Sequence, residues 1–130
     1  MENKIIAKPI QDYSLEMTKN IEQNLKYFME MAVTPDGFKT LGIRINTDKR
    51  RAIKIMCSDD QRVRIRYQID IMENCIEEVR TTVKNPKEKK EFIPDILIYH
   101  QKGMRQVDIA DRLGITQGYV SKVIRRYKDF

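Results

Sequence analysis

The feature that most restricts the fold lies near the carboxy-terminal end, where residues 106–125 read QVDIADRLGITQGYVSKVIR. Ile109, Leu113, Ile115, Val120 and Val123 are spaced as the buried side of helices, yet a glycine, Gly114, interrupts them. Glycine readily takes the positive φ that stops a helix within one residue, so one helix ends at Gly114 and another starts at once. Ala110 is small where a crossing helix has to come close. Together these residues specify two short helices crossing steeply through a tight turn, a helix-turn-helix. Upstream, Pro94 suits the first turn of a helix over DILIYHQ and Gly103 its end, which adds a third helix. Ile96, Leu97 and Tyr99 or Ile98 then close a three-helix core.

Thr116 suits the N-cap of the last helix, which leaves Gln117, Gly118, Ser121, Lys122 and Arg125 on the face the core does not use. Such a helix fits the DNA major groove, where glutamine pairs with adenine edges and lysine or arginine with guanine, while further cations neutralise phosphates. Tyr119, Arg126 and Lys128 complete the candidate DNA-binding set, and Gly118 leaves room for close approach of the backbone. The plainer reading is a helical pair that packs a core or binds protein. Charge favours DNA: the chain carries +6 overall, and residues 101–130 hold seven basic against three acidic side chains.

The segment RQVDIADRLGITQGYVSKVIRRYKDF resembles the helix-turn-helix in the fourth conserved region of bacterial sigma factors, and nearly as much the motif of partition proteins and phage regulators. The resemblance covers roughly the last 38 residues. Sigma-type domains read promoter bases with the second helix, which by carry-over implies base contacts from Thr116, Gln117, Gly118, Ser121, Lys122 and Arg125.

The remainder of the chain has a different period. Ser14 can cap a helix over LEMTKNIEQNLKYFMEMAV, with Met17, Ile21, Leu25, Phe28 and Met31 or Ala32 on one face, and Pro35 and Gly37 end it. LGIRIN, RAIKIM and RVRIRYQIDI then alternate apolar and polar residues as strands do, with turn-rich breaks NTDK and CSDD between them. A competing pattern exists, because Ser58 with Gln61 makes a capping box and Ile65, Ile69, Met72, Ile76, Val79 and Val83 follow helical spacing. The β-branched residues and tyrosine of the alternating part favour a strand to about Asp70 and a helix after it.

The expectation is an α+β protein: an N-terminal helix, a three-stranded antiparallel meander and a helix over residues 1–85, then a helix-turn-helix domain of three helices over residues 86–130. TTVKNPKEKKEF, charged and containing Pro86, reads as a solvated hinge between them. Residues 44–66 hold eight basic against three acidic side chains. Alternation puts Arg62, Arg64 and Arg66 on one sheet face, and with Arg44 they read as a solvated outer face or as a second DNA contact.

Other classes of function find little support. Cys57 and Cys75 lack metal-ligand spacing and read as reduced, partly buried thiols, and His100 reads as a helix-end residue. There is no Gly-rich phosphate loop and no histidine beside a plausible nucleophile, so no enzyme, cofactor or metal is expected. No apolar run approaches the roughly 18 residues of a membrane span. The amino terminus lacks a signal peptide's apolar core, and a cytoplasmic location is expected. The expected function is sequence-specific binding of double-stranded DNA by a bacterial, phage or plasmid transcriptional regulator, as a homodimer or with two DNA-contacting surfaces in one chain. An accessory DNA-binding protein of plasmid transfer, partition or replication, or a sigma-like module contacting RNA polymerase through residues 1–85, is the alternative.

Overall fold

The computed structural model describes residues 20–127, so Ser14, Met17 and Lys128 lie outside the described residues. The chain divides into two compact units, Met1–Thr82 and Val83–Phe130.

In the first unit, helix α1 (Ile21–Met31) lies over a four-stranded antiparallel sheet of β1 (Phe38–Asn46), β2 (Arg51–Ser58), β3 (Val63–Ile71) and β4 (Ile76–Lys84), ordered β1-β2-β3-β4. Leu25, Phe28 and Met29 of α1, with Ala32 at its end, are buried against Ala52, Met56, Ile65, Tyr67, Ile69 and Ile71. Register explains the shared face: Ala52 pairs with Ile69, Lys54 with Tyr67 and Met56 with Ile65, so alternate residues of β2 and β3 point at the helix together. Lys54 is a cation among these apolar groups. Its Nζ donates to the Ala32 carbonyl at 2.8 Å and to the Met29 carbonyl at 3.5 Å, meeting the last carbonyls of α1 where the helix dipole is negative. Burial holds its pKa below the usual lysine value. Tyr67 donates its hydroxyl to Glu78 of β4, and burial, with this hydrogen bond to a carboxylate, pushes its pKa up.

On the opposite face β3 is polar, with Arg64, Arg66, Gln68 and Asp70, and stands across from Cys57, Ile55, Ile53 and Arg51 of β2. Arg51 and Asp70 are cross-strand partners, with Arg51 Nε donating to Asp70 Oδ1 at 2.6 Å. Gln68 Nε2 donates to Asp70 Oδ2 at 2.7 Å, and Arg66 Nη1 donates to Gln68 Oε1 at 2.8 Å. This ladder satisfies polar groups that are withdrawn from water, since Arg66 and Gln68 are both only 4 % exposed.

The expected layout is corrected at two places. The sheet has four strands, not three, and the segment expected to be helical after Asp70 is strand β4. β3 instead turns at residues 72–75, where the Met72 N–H donates to the Cys75 carbonyl at 2.8 Å. The helical spacing of Ile76, Val79 and Val83 misleads because a strand can serve more than one apolar environment: Ile76 joins the α1 core, whereas Val83 joins the core of the second unit. Ser58 belongs to a turn and not to a helix start. Its Oγ accepts from the Arg62 and Val63 N–H groups and shapes the β2–β3 connection, in which Gln61 takes φ 62°.

The second unit is also not the plain three-helix domain expected. It opens with Val83 and a 3-10 turn, Lys89–Phe92, before α2 (Ile93–Gln101), α3 (Gln106–Leu113) and α4 (Gln117–Tyr127). Val83 and Phe92 are buried with Ile96, Ile109, Ala110, Leu113, Val120, Val123 and Ile124. Of the alternatives for α2, Leu97 and Tyr99 pack on this core while Ile98 is half exposed. Gly103 closes α2 at φ 86°, with the Met104 N–H reaching back to the Tyr99 carbonyl at 3.1 Å and the Gly103 N–H to the His100 carbonyl at 3.0 Å.

Candidate nucleic-acid interface

The geometry of the candidate interface starts at Gly114. Its φ of 74° is left-handed, and the Gly114 and Ile115 N–H groups both donate to the Ala110 carbonyl, at 2.9 and 3.0 Å. Helix α3 therefore ends within one residue, and α4 begins at Gln117 after only Ile115 and Thr116. Ala110 and Leu113 on α3 and Val120, Val123 and Ile124 on α4 are buried together, and this apolar contact fixes the crossing. Thr116 precedes α4, and its Oγ1 accepts from the Tyr119 N–H at 3.2 Å, satisfying one of the donors a helix start leaves over.

Burying Val120, Val123 and Ile124 turns the other side of α4 outward. Thr116, Gln117, Gly118, Lys122, Arg125 and Arg126 are exposed, and Ser121 and Tyr119 are half-buried. Gln117, Ser121 and Arg125 succeed each other at four-residue spacing and form one strip; Tyr119, Lys122 and Arg126, at spacings of three and four, form the strip beside it. A Cβ added at Gly118 would meet nothing within 4 Å, so the protein itself leaves this backbone uncovered. The described part of α4 has three cations and no acid, and its last turn carries Arg125 and Arg126.

The sheet arginines are not equivalent. By register Arg44 stands across from Ile53, which stands across from Gln68, and Arg64 stands across from Cys57, so Arg44, Arg64 and Arg66 share a face. Arg62 lies in the turn before β3. Arg44 and Arg62 are exposed and Arg64 is half-buried, but Arg66 is buried and engaged with Gln68. The row is thus neither a uniformly solvated face nor a uniform contact surface. The thiols differ likewise: Cys57 is buried and Cys75 is exposed, which corrects the expectation of two partly buried thiols.

Nothing in the sequence singles out Lys89. The 3-10 turn places its Nζ 4.8 Å from the centre of the Tyr119 ring, at the side of α4. The run KEKK is visible as charge, but its position beside α4 depends on how the turn folds against the core through Phe92. Among the described residues no group of three or more His, Cys, Asp and Glu side chains could hold a metal ion, and no helix is long and apolar enough to cross a membrane. Comparison of the chain with protein-family models, with curated proteins and with solved structures finds no significant match.

Proposed function

We propose that the chain is a sequence-specific DNA-binding protein of the cytoplasm, a transcriptional regulator that inserts α4 into the major groove of double-stranded DNA. The observation that carries this reading is the division of α4 into a buried side of Val120, Val123 and Ile124 and an exposed side of Gln117, Gly118, Lys122, Arg125 and Arg126, presented immediately after a left-handed glycine turn. Gln117, Ser121 and Arg125 have the donors and acceptors to address base edges, and Lys122 and Arg126 have the charge to address phosphates on the flank. A single motif of this kind buries little surface, so useful affinity calls for two half-sites or a further contact. Burial of Arg66 removes it from such a contact, and Arg44 and Arg62 remain the exposed candidates on the sheet unit.

Selection of bound sites from a random duplex library, then affinity measurements from about 50 to 300 mM salt, tests the reading. Expected are one enriched sequence, palindromic if two copies bind, and a steep loss of affinity with salt, at about 0.9 logarithmic units per phosphate neutralised. No enrichment, together with a flat salt response, refutes it.

A further inference from the structure

We infer that the basic 3-10 turn Lys89–Phe92 is a second element of the DNA-binding surface, with Lys89 gripping the phosphate backbone alongside α4. This inference rests on the docking of α4 proposed above and extends it to a segment that otherwise looks like a linker.

Three features support it. The first is position. Tyr119 lies on the strip of α4 that continues through Lys122 and Arg126, and the Lys89 ammonium sits 4.8 Å over its ring. The turn thereby places its cation at the same flank where α4 carries two of its own, so the three charges can track one strand of a backbone. The second is how the acids of the turn are used. Glu88 and Glu91 form a reciprocal capping box: the Glu91 carboxylate accepts the Glu88 N–H at 3.1 Å, and the Glu88 side chain accepts the Glu91 N–H. Glu88 also pairs with Lys90 at 3.2 Å. Both carboxylates are thus turned to the backbone or to Lys90, and Lys89 points away from them to the aromatic ring.

The third is chemistry. An ammonium has three donors, and a ring face engages it through the quadrupole without accepting all of them. Tyr119 can therefore hold the lysine in place while leaving N–H groups for phosphate oxygens. This ordering matters because a free lysine side chain loses substantial rotamer entropy when it binds, and one already held over a ring loses less. Tyr119 is itself anchored, with one side packed on the core. It acts here as a positioning residue, and Lys89 makes the contact.

The test compares wild type with Lys89→Gln, Tyr119→Phe and Tyr119→Leu, measuring affinity for a selected duplex and for a random duplex of equal length as salt is varied. Lys89→Gln should flatten the logarithmic salt slope by about 0.9 and weaken both duplexes equally, by about eightfold at 0.1 M salt. Tyr119→Phe keeps the ring face and should behave as wild type, whereas Tyr119→Leu should lose part of the Lys89 effect and show little further loss when combined with Lys89→Gln. An unchanged slope and affinity in Lys89→Gln, while wild type still selects a site, overturn this inference and leave the docking of α4 standing. If wild type binds neither duplex at 50 mM salt, the docking of α4 fails and the inference with it.

Discussion

Two glycines of the second unit should respond to alanine in opposite ways, and the pair separates stability from recognition. Gly118 is the second residue of α4, and the space where a Cβ would stand is open to 4 Å. Alanine there removes backbone freedom from the unfolded chain and adds no clash, so Gly118→Ala should stabilise the unit by about 0.5–1 kcal/mol. For a small domain this is a rise in melting temperature of about 2–8 °C. Gly114 has φ 74°, where a Cβ crowds the next carbonyl at a cost of about 1–2 kcal/mol, offset in part by the roughly 0.4–1 kcal/mol that alanine gains from a less free unfolded chain. Gly114→Ala should therefore destabilise by about 1 kcal/mol. DNA affinity should take the reverse order. The new methyl of Gly118→Ala stands on the exposed face proposed to enter the groove and should cost about one bidentate base contact, about 1–3 kcal/mol, whereas folded Gly114→Ala keeps that face unaltered. Calorimetric melting and fluorescence anisotropy on a selected duplex measure the two quantities. A Gly118→Ala protein that melts higher and binds as tightly as wild type would show that the start of α4 is not against DNA, and one that melts lower would refute the open helical geometry at this residue.

Gln117→Ala should relax specificity at one base pair at a cost of about 1–3 kcal/mol, while Arg126→Ala should weaken all sequences alike; a competition assay against single-substituted duplexes distinguishes the two patterns. Thr116→Ala removes the acceptor for the Tyr119 N–H and should lower stability by about 1 kcal/mol in a denaturant titration. Thr116→Asp should restore that stability, because aspartate caps as well, yet it should weaken DNA binding by placing an anion at the phosphates; equal binding by both variants would count against the location of this cap at the interface. Tyr67 has a folded-state pKa raised above the ordinary value near 10, so its contribution to stability is complete below that pH and is lost as pH rises through the folded-state value. Unfolding of wild type and Tyr67→Phe at pH 8 to 11 should thus give a constant difference at first and a relative loss for wild type above about pH 10. Lys54, whose pKa is lowered, drifts with the opposite sign in both proteins, so the difference isolates Tyr67; parallel curves to pH 11 would contradict the raised value.

An element is legible in the sequence when it serves a single environment. The stretch from Ile109 to Val123 is of this kind, because Ala110, Leu113, Val120 and Val123 all turn toward the same core, so the apolar spacing, the small residue and the turn glycine agree with one another. Strands β1 to β3 are legible in outline for a similar reason. Alternation marks β3 even though it buries both faces, because its face opposite α1 is made of polar side chains hydrogen-bonded to each other, Arg66, Gln68 and Asp70; in β2 the alternation runs the other way, with Ile53 and Ile55 on that face and Lys54 toward α1. That same hydrogen bonding is why Arg66 resembles a surface residue: nothing local in RVRIRYQIDI tells a guanidinium held by a neighbouring glutamine from one held by water.

Strand β4 serves two environments and is hidden for that reason. Its Ile76 and Val79 stand at odd spacing, which in one environment means a helix, but Ile76 belongs to the core under α1 while Val83 belongs to the core beneath α2 to α4. Spacing identifies a helix only where one direction is buried, and a strand that passes from one core to the next breaks that condition without breaking any rule of strand formation. Thr81 and Thr82 carry the corrective signal, since two adjacent β-branched residues beside Val83 suit a strand better than a helix. The strand also gives the residues after it a different place. A helix running to Val83 would leave KNPKEKKE as a hinge in solvent, whereas a strand whose Val83 is already in the second core makes the next residues part of that domain. The run then folds as a capped 3-10 turn anchored by Phe92, and its lysine comes to lie over Tyr119. The same mixed spacing thus conceals both the last strand and the cation beside α4.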